Sequence, residues 1–77
     1  MDKSEQVRVQ QYLRDKFGTD RITLSDAGRN DGSAEVNLSG EFIGVIFRDD
    51  DEGEISYAFH MAIIESDLPV AAGVPSR

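Results

Sequence analysis

Cysteine is absent from this sequence, which removes a disulfide scaffold, a thiol nucleophile and a cysteine-based zinc site together. Histidine occurs once, at His60, and tryptophan not at all. No apolar run approaches the roughly 18 residues that span a bilayer, and the opening MDKSEQVRVQ is too polar for a secretory signal. A cytoplasmic protein is the expectation. Positive charge is scarce as well: eight Lys and Arg stand against fifteen Asp and Glu, a net charge of −7. Residues 1–25 hold five basic and four acidic groups, whereas residues 26–77 hold three and eleven, so the deficit lies almost wholly in the second part. Binding to a phosphate backbone depends on clustered Lys and Arg that release counterions. Neither nucleic acid nor an anionic membrane is therefore an expected partner, and a remote reading is an acidic nucleic-acid mimic that fills another protein's basic groove. Size gives the last bound. At 8.5 kDa a folded chain buries roughly 60% of its unfolded surface, enough for one thin core but not for a second domain or an enclosed cofactor cavity.

What is present has a clear order. Val9, Tyr12, Leu13 and Phe17 recur at helical spacing with polar residues between them, so the pattern predicts an amphipathic helix over 3–17. Asp2 with Glu5 three positions on makes a capping pair at its start, and Gly18 suits a left-handed close. Four stretches of strand character follow at 21–25, 33–38, 41–48 and 54–64, joined by DAGRNDG, Ser39-Gly40 and the acidic DDDEG. The expected fold is α+β: one N-terminal helix packed on one face of a four-stranded antiparallel β-meander, a single domain over 1–68, with 69–77 a disordered C-terminal tail.

Register follows from the two-residue period of strands. A two-residue hairpin at Ser39-Gly40 sets Leu38 opposite Glu41, Val36 opposite Ile43 and Ala34 opposite Val45. A five-residue loop at Asp49 to Gly53 then sets Phe47 opposite Ile55, Val45 opposite Tyr57 and Ile43 opposite Phe59. The helix-covered core would thus contain Ile22, Leu24, Val36, Ile43, Val45, Phe47, Ile55, Tyr57, Phe59 and Met61. The other face would hold Phe42, Gly44, Ile46, Ala58 and His60, rimmed by Glu35, Asn37 and Arg48. An aromatic and an isoleucine among small residues make an unusual solvated surface, so these five are the expected interface of a homodimer.

Chemistry-bearing groups are sparse. His60 has neither a second histidine nor a cysteine to join it, and its expected neighbour is Phe42, so packing is its expected role, with sensitivity to mildly acidic pH if the face is an interface. The serines at 25, 33, 39, 56 and 66 have no nearby base, and no catalytic residue is assigned. The acidic turn with Asp49, Asp50, Asp51, Glu52 and Glu54 has the oxygen-rich composition that Ca²⁺ or Mg²⁺ favours. It is not an EF-hand loop, because position six from Asp49 is Glu54 and position twelve is His60. A charged hairpin that keeps a sheet edge soluble is the plainer reading. The expectation is a non-enzymatic protein-interaction module that needs no cofactor and self-associates through its outer sheet face. The alternative is a divalent-cation or small-ligand binder at the turn.

The segment EFIGVIFRDDDEGEISYAFHMAI at 41–63, with QYLRDKFG at 11–18 and SAEV at 33–36, resembles a family of short bacterial proteins known as a domain of unknown function. The likeness runs from the helix to about Leu68. It implies a bacterial cytoplasmic protein and suggests an accessory role beside a biosynthetic enzyme, the serine acetyltransferase of cysteine synthesis. It carries no activity or catalytic residues to transfer.

Overall fold

The computed structural model describes residues 1–26 and 32–71, apart from the side chain of Glu52. Helix α1 spans Lys3–Phe17. Its start is the capping box expected from the sequence: the Glu5 amide donates to Asp2 Oδ1 at 2.7 Å, and the Asp2 amide donates to Glu5 Oε1 at 3.2 Å, so two of the helix's orphan N–H groups are satisfied. Gly18 closes it in the left-handed region, φ 67 and ψ 33, with its N–H bonded to the Arg14 carbonyl.

Strands β1 (Ile22–Asp26), β2 (Ser33–Leu38), β3 (Glu41–Asp49) and β4 (Ser56–His60) form one antiparallel sheet in chain order. The α+β meander is therefore as the sequence predicts. The loop DAGRNDG lies largely outside the described residues, as do residues 72–77 of the expected tail; Glu65–Asp67, just before it, forms a single 3₁₀ turn. None of the described helices is long and apolar enough to cross a membrane.

The register of β3 departs from expectation, and the reason is local. Leu38 does face Glu41 across Ser39-Gly40, whose positive φ values of 53 and 84 fit a tight hairpin. Between Val36 and Asn37 the pairing then slips by one residue. Phe42 faces Asn37, but Gly44 faces Val36 and Ile46 faces Ala34, leaving Ile43 as the extra residue of a bulge. Every side chain of β3 beyond the bulge changes face. A second odd shift follows, because β3 runs on to Asp49 and pairs with Ser56, which lengthens the turn and sets Ile46 opposite Phe59 and Phe47 opposite Ala58. The two shifts cancel for β4, so Tyr57 and Phe59 point at the helix as expected while β3 is inverted.

The core is accordingly small. Val9 and Leu13 of α1 meet Ile22, Ala34, Val36 and Ile46, with Leu24, Ile43, Tyr57 and Phe59 partly buried around them. Two members of the expected interface belong to this inner face instead. Ile46 is only 3% exposed, and Gly44 is buried with the Phe59 ring against it; a Cβ there would lie 2.7 Å from the ring and closer still to the His60 carbonyl. Arg48, expected on the outer rim, also turns inward opposite Tyr57. Val45 and Phe47, expected in the core, take their places on the outer face.

Candidate interaction surface

Helix α1 lies over β1 and leaves the inner face of β3 and β4 only partly covered. Two of its four stripe residues reach the core; Tyr12 and Phe17 do not, and are 60% and 55% exposed. They form one wall of an open groove of about 610 Å³ whose floor is Ile46, Tyr57 and Phe59. Lys16 stands at its rim, with its ammonium 5.7 Å from the centre of the Tyr12 ring.

One polar cluster closes the end of the groove. Glu5 Oε2 accepts from Arg48 Nε at 2.6 Å and from the Tyr57 hydroxyl at 2.7 Å. Arg48 also donates from Nη1 to Asp50 Oδ2 at 3.2 Å. The Tyr57 hydrogen bond, followed by the Asp2 amide and the Arg48 guanidinium, holds the Glu5 carboxyl below its usual range, against the opposing effect of desolvation. The same carboxylate raises the Tyr57 hydroxyl and keeps Arg48 firmly protonated. This clasp was invisible in the sequence pattern, where Glu5 reads only as a helix cap and Arg48 as a surface charge. Only the inverted register brings them together.

The outer face is partly exposed: Ser33 is buried at its β2 end, and Val45 and Phe47 are half-buried. Phe42, 56% exposed, lies on it with Val45, Phe47, Ala58 and His60. Thus Phe42, Ala58 and His60 stand where expected, while Val45 and Phe47 replace Gly44 and Ile46. The signal for this was Gly44 itself, since an isolated glycine within a strand marks a bulge or a close backbone approach.

A family model described as "Protein of unknown function (DUF3126)" matches residues 5–67. The chain belongs to this family. The DUF3126 match begins at Glu5 of the clasp and runs through the whole sheet, so both surfaces lie within it. No curated protein and no solved structure matches the chain.

Two further features of the DUF3126 chain complete the surface. His60 pairs with Val45, and its ring meets the edge of Phe47 at 5.3 Å between centroids and 88° between planes, so an aromatic contact replaces the expected one with Phe42. In the acidic turn, Asp49 Oδ1 accepts the Asp51 amide at 3.0 Å and Asp50 faces Arg48. Glu54 is exposed, and the side chain of Glu52 lies outside the described residues. Among the described residues, no three acidic or histidine side chains come together as a metal site would require.

Proposed function

We propose that this protein is a non-enzymatic protein-interaction module that self-associates through the β3–β4 half of its sheet. One observation carries the reading: the helix packs closest to β1 and leaves the inner side of β4 only partly covered, so the β3–β4 half presents apolar side chains on both faces. Tyr57 and Phe59 line the open groove on one side, and Phe42, Val45, Phe47, Ala58 and His60 form the surface on the other. Soluble monomers seldom leave contiguous apolar patches of this kind without an interaction to use them. Association would supply the burial that a small domain lacks.

Sedimentation velocity or light scattering over a wide concentration series tests this directly. The expected result is a reversible rise in mass with concentration, toward twice the chain mass. A single monomeric species throughout would overturn the proposal.

A further inference from the structure

The two edges of the sheet are treated differently, and the difference identifies the mode of association. Arg48 donates its amide to the Gly32 carbonyl at 2.9 Å, so the even-numbered residues of β3 bond toward β2. By the alternation of an antiparallel ladder, Val45, Phe47 and Asp49 bond toward His60, Ala58 and Ser56. The N–H and C=O groups of Tyr57 and Phe59 therefore point away from the sheet, and no hydrogen bond from a described residue meets them. On β1 the equivalent groups are occupied by the helix: the Leu24 amide donates to Gln10 Oε1 at 3.0 Å, and Arg14 Nε donates to the Ile22 carbonyl at 2.8 Å.

β4 also lacks the usual defences of an exposed edge, having no lysine, proline or bulge within Ser56–His60. It is flanked by Ile55 and Met61, each 52% exposed. Strand character in the sequence extends over 54–64, beyond the five residues that pair within the chain.

We infer that β4 pairs antiparallel with β4 of a second copy about a two-fold axis at Ala58, joining two sheets into one of eight strands; this rests on the self-association proposed above. That register satisfies the outward groups, because Tyr57 bonds with Phe59 of the second copy and Phe59 with its Tyr57. It places Ile55 opposite Met61 in both directions, so the apolar row at 55, 57, 59 and 61 is self-complementary. Ala58 meets itself at the axis as a non-hydrogen-bonded pair, where side chains approach most closely and a small one fits.

Two sets of variants of the full chain test the register. Ile55→Lys/Met61→Lys sets like charges opposite each other twice and removes apolar burial, and is expected to weaken association about tenfold or more. Ile55→Lys/Met61→Glu makes the same two positions opposite in charge and is expected to retain it. Independently, Ala58→Cys in this cysteine-free chain is expected to form a covalent dimer under mild oxidation, since a Cα separation of about 4.5 Å lies within disulfide range. Phe42→Cys, away from the axis, is expected not to do so. If wild type associates but the lysine pair leaves its affinity unchanged, or if both cysteines cross-link equally, edge pairing is wrong and self-association stands. A wild type that stays monomeric and instead takes a strand from another protein would overturn both.

Discussion

The β1 side and the β4 side of this sheet are built from strands of equal length, yet they are finished in opposite ways. At β1 one helix supplies both apolar cover, through Val9 and Leu13, and polar closure, through Gln10 and Arg14. At β4 the same helix reaches only as far as the Glu5 clasp. The floor of the groove stays open, and no described residue bonds the outward backbone groups of Tyr57 and Phe59. Among the described residues the one α-helix completes only half of the sheet, and the unfinished half is where the proposed second copy would dock.

The largest test of this contrast is at its seam. Ile46 sits where the two halves meet, so Ile46→Lys buries an unpaired charge and is expected to cost about 4 kcal/mol or more, close to the whole stability of a small domain. A variant that melted near wild type would mean that β3 is not inverted. Next comes the helix stripe, which belongs to both halves. Leu13→Ala is expected to cost about 2–4 kcal/mol in chemical denaturation, whereas Phe17→Ala, on the open side, should change the stability of the monomer by less than about 1 kcal/mol. Similar losses at the two positions would erase the distinction between covered and open halves.

The smallest effect is on pH dependence. The Glu5 carboxyl is held below its usual value of 4.5 in the fold. The stability it contributes is fully present above the unfolded value and is lost as pH falls through the lower folded one. Tyr57 runs the other way. Its hydroxyl is raised above 10.0, so its contribution is present below the unfolded value and lost as pH climbs through the folded one. Glu5→Gln should flatten both limbs of a plot of thermal midpoint against pH; unchanged limbs would show that the clasp does not form in solution.

How much of this could be read in advance depended on range. The helix, its capping box and its closing Gly18 are local, and each follows from residues within a few positions of one another. The strands and their order are nearly as local, because Gly, Asn and Asp mark each turn. The face of β3 is another matter. The run FIGVIF at 42–47 is apolar at both parities, so hydrophobic pattern alone cannot say which side faces the helix. Burial decided it: Ile46 can enter the core only if the ladder slips near Gly44, and the glycine lets the Phe59 ring close over the slip. The clasp depends on that slip too. The unequal edges lay further out of reach, since Gln10 and Arg14 read as the polar face of an ordinary amphipathic helix until β1 is set beside them.

Glu5 has one more consequence, which concerns how the molecule comes apart. A single side chain completes the first turn of α1 and is also bound to residues 43 and 52 positions later. The N-terminal turn therefore cannot fray on its own, as helix ends usually do, without also breaking the hold of Glu5 on Arg48 and Tyr57. Amide hydrogen exchange should show the first helical turn opening together with the clasped ends of β3 and β4 as one cooperative unit, so the first turn of α1 and the far strands of the sheet share a single fate.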